Sequence, residues 1–154
     1  MLCQFNIMVM AHPKHSPQMA AYFAKAETVH ALAESMPGFL WRQTNESDPV
    51  IQDRLGPDHL VNLSAWQSID ALYAFVFHPT HRAIMMAGAQ WFQHTGRATS
   101  VLWSVDDPLH RPEFDDAIDR LHQLWREGPT EAAFDLSWAR QQGLTNATLN
   151  LGLE

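Results

Sequence analysis

The stretch LCQFNIMVM, residues 2–10, places two kinds of side chain in alternation. In an extended chain, one side would carry Cys3, Phe5, Ile7 and Val9, and the other would carry Gln4, Asn6, Met8 and Met10. This period of two predicts a β-strand. Large apolar side chains occur on both sides, so we expect both faces of the sheet to be buried.

Three helical segments and three further strands are predicted next. Ser16 and Pro17 are a typical helix start, a capping hydroxyl followed by proline in the first turn, and helical spacing continues to about Met36. Pro37 and Gly38 then end the helix. The remaining elements are expected as strand two at 39–43, a surface loop at 44–58, strand three at 60–66, a helix capped by Ser68 and interrupted by Pro79, a second helical segment at 80–92, and strand four at 100–105.

Residues 106–154 are expected to form a C-terminal helical extension. A helix is predicted from about 112 to 126, a short helical turn at 130–134, and extended or frayed chain beyond. The order β-α-β-β-α-β with this extension is the ferredoxin-like α+β arrangement, with one four-stranded antiparallel sheet and helices on one face. We expect one domain over residues 1–154. Packing of the open sheet face against a second copy predicts a homodimer, a dimeric α/β barrel.

Composition excludes several classes of protein. Ten Lys and Arg against seventeen Asp and Glu give a formal net charge of −7, which would repel a nucleic-acid backbone. Cys3 is the only cysteine, which excludes an internal disulfide and a cysteine-rich zinc site. The sequence shows neither a signal-peptide pattern nor an apolar run long enough to span a membrane. We therefore expect a cytoplasmic protein without a membrane or nucleic-acid partner.

Polar side chains on apolar strands indicate a small-molecule site. Asn6 on strand one, Arg42 on strand two, and Ser64 and Trp66 on strand three could converge on one cavity. A buried Arg42 would need an anion, a carboxylate or an enolate-like substrate beside it. The alternative interpretation is a wet sheet face in which Arg42 makes an outward salt bridge to an acidic residue of the loop at 44–58.

The six Trp and seven Met residues are many for this length, and they indicate an adaptable apolar cavity for an aromatic ligand. Met85 and Trp91 are expected at its mouth. His78 and His81 lie three residues apart, so in a helix both imidazoles could point to one side and bind a metal. Alternatively, Pro79 breaks the helix and both histidines are exposed to solvent. The Trp and Met residues would then be explained by core packing and by a dimer interface.

An ordered series of short motifs identifies a family. The motifs are Pro37-Gly38-Phe39-x-Trp41-Arg42, Ser64-x-Trp66-x-Ser68-x-x-Ala71-Leu72, Phe75-Val76-Phe77-x-x-x-His81, Val101-Leu102-Trp103-x-Val105 and Gly128-Pro129-Thr130-x-x-Ala133-Phe134. The series resembles an uncharacterised family of bacterial and fungal proteins, a domain of unknown function in the dimeric α/β-barrel superfamily. The superfamily is similar in layout to the antibiotic biosynthesis monooxygenases, which are cofactor-free oxygenases of polyketide-like aromatics, and to the haem-degrading monooxygenases.

The resemblance also implies roles for three residues. Asn6 matches the strand-one asparagine of the haem-degrading enzymes, and His81 falls at the position of their axial iron ligand. Phe75 stands where those enzymes have a tryptophan, and this departure argues against haem ring cleavage more than against haem binding.

The hypothesis from the sequence is a small-molecule-binding, monooxygenase-like oxidoreductase that acts on an aromatic or polyketide-type substrate. Asn6 would orient the substrate, His81 would act as base or ligand, and the pocket would be shaped by Arg42, Ser64, Trp66, Phe75, Met85 and Trp91. One alternative is a haem-binding protein with His81 as axial ligand. Another is a non-catalytic dimer that binds a metabolite. No nucleophile-elbow, phosphate-loop, zinc-protease or dinucleotide motif is present in the sequence.

Overall fold

A computed structural model describes residues 1–145 of the chain. Its strands are β1 (Leu2–Val9), β2 (Phe39–Arg42), β3 (His59–Trp66) and β4 (Ser100–Ser104). Its helices are α1 (Pro17–Ser35), α2 (Pro49–Leu55), α3 (Ile69–Val76), α4 (Pro79–Met86), α5 (Phe114–Glu127) and α6 (Leu136–Gln141), with a short 3₁₀ turn at Gly88–Gln90.

The four strands form one antiparallel sheet in the order β2-β3-β1-β4. This order and the helix positions confirm the predicted ferredoxin-like α+β fold with a C-terminal helical extension. In the central pair, Asn6 of β1 lies opposite Asn62 of β3, and Gln4 lies opposite Ser64. Because the pleat alternates, these polar side chains share one face, whereas Phe5 and Leu63 lie on the other.

The ends of the first helix follow from its sequence. Ser16 Oγ accepts a hydrogen bond from the Met19 amide at 3.3 Å, which caps α1 as predicted. The chain then turns through Gly38, whose φ is +86°, and a Cβ at this position would lie 2.6 Å from the Ala71 Cβ. Glycine is therefore required both by the backbone conformation and by the close approach of α3.

The face of the sheet that carries Phe5 is covered by the chain itself. Phe114, Ile118 and Leu121 of α5 are fully or almost fully buried and pack in one core cluster with Phe5 and the other residues of this face. Helix α2 contributes Ile51 to the same cluster. The expectation that this face is open and needs a second copy to cover it is therefore wrong, because the C-terminal extension folds back onto it. The homodimer itself stays a prediction.

Three segments differ from their predicted structure. The expected loop at 44–58 contains α2, which begins where Asp48 Oδ1 accepts from the Val50 amide at 3.0 Å. Residues 130–134 are not helical: Thr130 and Ala133 pair across a tight turn, and Phe134 pairs with Leu102 of β4. Helix α6 lies where frayed chain was expected, and the rest of that expectation, residues 146–154, falls outside the described residues.

The opposite face of the sheet, with Asn6 and Asn62, is covered by α1, α3 and α4, which leave a space above its middle. None of the helices within residues 1–145 is both long enough and apolar enough to cross a membrane.

Candidate active site

The space between the sheet and α1, α3 and α4 is a cavity of about 370 Å³. This volume is in the range of sites that enclose small organic ligands. All four strands contribute to its floor, and the helices form its walls. The cavity thus lies where the sequence places the polar strand residues, and Asn6, Arg42, Ser64, Trp66, Phe75, His81 and Met85 all line it.

Two rows of polar side chains cross the floor of the cavity. In one row, Arg42 lies opposite Ser64, and Ser64 lies opposite Gln4. In the other, Asn62, Asn6 and Ser100 are neighbours across three strands. The Gln4 amide donates to Ser100 Oγ at 3.4 Å and so links the rows. Among the described residues, the side-chain amide of Asn6 has no hydrogen-bond partner. Its N–H donors and its carbonyl acceptor are therefore available to a ligand.

Aromatic side chains form one end of the cavity. Trp66 is fully buried, and its ring is stacked on that of Phe75 with centroids 5.2 Å apart and an interplanar angle of 22°. The indole N–H of Trp66 donates to Ser64 Oγ at 3.1 Å, so the polar atom of this large side chain is satisfied. Phe75 in turn contacts the ring of His81, with centroids 4.6 Å apart. The result is a rigid wall suited to a flat aromatic ligand.

His81 enters the cavity from the first turn of α4 and is held by the backbone. Its Nδ1 lies 2.8 Å from the carbonyl oxygen of Val76, so Nδ1 carries the proton and donates it, and Nε2 is left as the acceptor. Burial lowers the pKa of His81 below its ordinary value of 6.5; the bond to Val76 opposes this shift and the charge on His78 adds to it. At neutral pH the ring is therefore neutral, with one basic nitrogen free.

The structure does not bring His78 and Trp91 to the cavity. His78 caps α4, because its Nδ1 accepts from the Thr80 amide at 3.2 Å, and it is not among the lining residues. Trp91 is buried behind Tyr22, with ring centroids 5.6 Å apart, and supports the wall rather than forming it. Met85 lines the cavity, and 59% of its surface is exposed.

Arg42 lines the cavity and is also paired with an acid. Its Nε donates to Glu34 Oε1 at 2.7 Å, an acid on α1 rather than the loop acids considered from the sequence. The Arg42 side chain is 23% exposed, and its two Nη groups have no hydrogen-bond partner among the described residues. Glu34 therefore fixes the guanidinium while four N–H donors stay available to an anionic oxygen.

His30 and Tyr22 are among the lining residues that were missed in the sequence. Tyr22 is buried and His30 half-buried on the inner side of α1, where their spacing indicated helix but no function. His30 Nε2 lies 3.3 Å from Asn62 Oδ1. Burial raises the pKa of Tyr22 to about 12, so its hydroxyl stays protonated and donates to Met8 Sδ at 3.5 Å. A histidine inside an otherwise apolar helical stripe was the signal that could have identified His30.

A metal held by several side chains has no support within residues 1–145, where no group of three or more His, Cys, Asp or Glu residues is placed to bind an ion. Cys3 is buried on the other face of the sheet, and burial raises the pKa of its thiol to about 11. The polar side-chain groups that line the cavity are imidazoles, amides, hydroxyls and one guanidinium.

Solved structures share this architecture of a ferredoxin-like fold with a helix-covered sheet. Rv0793 from Mycobacterium tuberculosis is similar at 14% identity and a TM-score of 0.51, over 70% of this chain and 97% of that one. A putative antibiotic biosynthesis monooxygenase from Nitrosomonas europaea is similar at 13% identity and a TM-score of 0.51, over 70% of this chain and 100% of that one. SnoaB, a cofactor-independent oxygenase from Streptomyces nogalater, is similar at 17% identity and a TM-score of 0.48, over 71% and 97%.

The likenesses to Rv0793 and to the Nitrosomonas europaea protein show the fold of the chain, a ferredoxin-like α+β fold. None of the curated proteins compared with the chain matches it. The model of one family, described as a domain of unknown function (DUF3291), matches residues 1–148. The chain belongs to this family.

Proposed function

We propose that the protein is a small-molecule-binding enzyme, monooxygenase-like, that oxidises an aromatic or polyketide-type substrate with molecular oxygen. The observation that carries the proposal is the pairing of an aromatic wall, Phe75 backed by Trp66, with a floor on which the side-chain amide of Asn6 and the Nη groups of Arg42 have no partner among the described residues.

Each lining group has a role that follows from its chemistry. The substrate ring would lie against Phe75, which is backed by the buried ring of Trp66, and the side-chain amide of Asn6 would hydrogen-bond a substrate oxygen and fix its orientation. The Nη groups of Arg42 would stabilise an oxyanion on the substrate. Neutral His81 would take a C–H proton through Nε2, with Nδ1–H held by Val76, which is the arrangement of a general base.

The electrons for this reaction come from the substrate. His81 removes a proton from an acidic ring carbon, and the resulting enolate delivers electrons to O₂, so that a C–O bond forms. The hydroperoxide then loses water as its O–O bond breaks. One oxygen atom becomes a ring carbonyl and the other becomes water, so a CH₂ group is oxidised to C=O at the expense of one O₂.

Turnover of 1,8-dihydroxyanthrone tests the proposal, because this flat, ionisable aromatic carries such a CH₂ group. Oxygen uptake and quinone formation should exceed the protein-free rate in the presence of a metal chelator. Asn6→Ala and His81→Ala should each lower the rate at least tenfold, whereas His94→Ala, in an exposed loop, should not. Equal rates for all four proteins would contradict these roles. Binding without turnover would favour the non-catalytic metabolite-binding protein.

A haem-binding protein is the second candidate, and the geometry of His81 favours it. An axial histidine commonly donates its second N–H to a backbone carbonyl, as His81 does to Val76, and presents the other nitrogen to iron. Bound haem would supply redox chemistry at the Nε2 side of this ring. Hemin titration should then give a shifted Soret band that is lost in His81→Ala and kept in His94→Ala. Identical spectra for the two variants would exclude His81 as the ligand.

A further inference from the structure

A second, smaller cavity of about 70 Å³ adjoins the candidate active site. Tyr22, His30 and Asn62 line both cavities, so these side chains form the wall between them. Lys14 and Glu46 also line the small cavity, and both are exposed, so the small cavity reaches solvent. Its volume corresponds to about two water molecules.

His59 also lines the small cavity, and its Nδ1 is buried without a hydrogen-bond partner among the described residues. The wall residue His30 therefore has the large cavity on one side and the small, solvent-reaching cavity on the other.

The hydrogen bond of His30 determines its protonation. Nε2 faces the carbonyl-type oxygen Oδ1 of Asn62 at 3.3 Å, so Nε2 carries the ring proton and Nδ1 is the acceptor. Burial lowers the pKa of His30 and the nearby charge of Arg42 lowers it further, while Asn62, Glu46 and Glu34 oppose the shift. At neutral pH the imidazole is a neutral base.

We propose that His30 is a catalytic proton acceptor of the large cavity, which takes the proton of an acidic ligand hydroxyl and releases it to solvent through the small cavity. The O–H bond of a phenol or enol breaks, its proton bonds to Nδ1, and the electron pair stays on the oxygen beside Arg42. Asn62 holds the imidazolium through Nε2–H until Nδ1–H gives its proton to water that enters through the small cavity, which restores the neutral Nε2–H tautomer. This proposal rests on the proposed function in one respect, because it takes the ligand to be an ionisable aromatic compound.

Imidazole ¹⁵N NMR of the free protein tests the protonation state without any ligand. His30 should be the Nε2–H tautomer and should titrate below 6.5, the ordinary pKa of histidine. Assignment of the resonances uses His30→Gln, which deletes only the His30 signals. The Nδ1–H tautomer, or a ring that does not titrate, would overturn the proposal, because Nδ1 could not then accept a proton.

Alizarin tests the proton transfer, because this flat hydroxyaromatic has different absorption spectra as neutral molecule and as anion. Binding is followed by quenching of tryptophan fluorescence, and ionisation of the bound dye by absorption between pH 4 and 9. In the wild type the bound dye should ionise at a lower pH than the free dye. His30→Gln should raise the midpoint by at least one pH unit, a tenfold change in the ionisation constant, with affinity retained within a few-fold.

His122→Gln is the matched control, since His122 is a half-buried histidine on α5 at the other face of the sheet. It should leave the midpoint unchanged. A dye midpoint that is the same in the wild type and in His30→Gln would overturn the role of His30 even if the dye binds. Absence of any quenching would count against the proposed function instead, and the NMR tautomer would then decide the assignment of His30.

Discussion

The carbonyl oxygen of Val76 accepts a hydrogen bond from His81 Nδ1 at 2.8 Å, across the break between α3 and α4. His78 lies in that break and caps α4, so two histidines three residues apart have different roles. Helix α3 ends at Val76 and α4 begins at Pro79, so His81 points toward the cavity while His78 caps α4. Because one histidine caps a helix and the other lines the cavity, the two positions form a matched pair for mutagenesis.

Substitution of the two histidines should separate stability from ligand binding. His78→Ala removes a cap and should lower the free energy of unfolding by about 1 kcal/mol, with the affinity for an aromatic ligand unchanged. His81→Ala should weaken ligand binding or turnover with the helix start intact. Urea unfolding and ligand titration of both variants measure this difference. The assignment fails if the two variants lose affinity equally.

Trp66 is predicted to stabilise the aromatic end of the cavity by its burial. It is fully buried between Phe39 and Phe75, with ring centroids at 5.3 Å and 5.2 Å. Trp66→Ala should lower the free energy of unfolding by about 3–5 kcal/mol through the loss of buried surface and the hole it leaves. Trp66→Phe, which keeps one aromatic ring but loses the hydrogen bond to Ser64 and part of the buried volume, should cost less than Trp66→Ala. Chemical denaturation of both variants is the measurement, and similar losses would contradict the description of the wall.

Stability should decrease when the pH falls below neutrality. Burial lowers the folded-state pKa of His30, His59, His81 and His122 below 6.5. Between 6.5 and these lower values, the unfolded chain binds more protons than the folded chain, so protonation favours unfolding. The contribution is therefore fully present above pH 6.5 and is lost as the pH falls. Urea midpoints at pH 7.5 and pH 5.0 measure it, and a higher midpoint at pH 5.0 would contradict the burial of these rings.

Helix α5 should be essential to the sheet face that it covers. Ile118 is fully buried against this face, whereas Asp116 on the same helix is exposed. Ile118→Ala should cost about 2–5 kcal/mol, and Asp116→Ala should stay within about 0.5 kcal/mol of the wild type. Denaturation of the pair tests whether α5 covers the sheet in solution. Equal stability of the variants would indicate that this face has another partner.

Much of the fold could be predicted from the sequence, because the local signals there are strong. Ser16-Pro17 and Pro37-Gly38 bound α1, and the alternation in residues 2–10 places Asn6 and Phe5 on opposite faces as observed. Helix α2 was not predicted within residues 44–58, because Ile51 is the single buried residue of this helix and gives no periodic pattern. The position of α5 could not be predicted either, because one amphipathic helix can cover a sheet face or an external partner equally well.

The polar residues on the floor of the candidate site could be predicted from the sequence, whereas several residues of its walls could not. Asn6, Arg42 and Ser64 stood out because polar residues on apolar strands are unusual. His30 did not, because helical spacing alone cannot show that a side chain reaches a strand residue such as Asn62. Trp91 was misplaced for the same reason, since only the packed structure shows that Tyr22 stands between it and the cavity.

The cavity can be filled from one helix without touching any polar group. Ala26 of α1 lines the cavity, whereas Ala24 on the same helix is exposed and does not. Ala26→Phe places a ring in the ligand space, and Ala24→Phe makes the same substitution on the outer surface.

The initial rate of oxygen uptake with 1,8-dihydroxyanthrone for these two variants tests most directly that the cavity is the site of reaction. Ala24→Phe should keep the wild-type rate, and Ala26→Phe should fall at least tenfold toward the protein-free rate while both remain folded by circular dichroism. Equal rates for a folded Ala26→Phe and the wild type would contradict a reaction in this cavity.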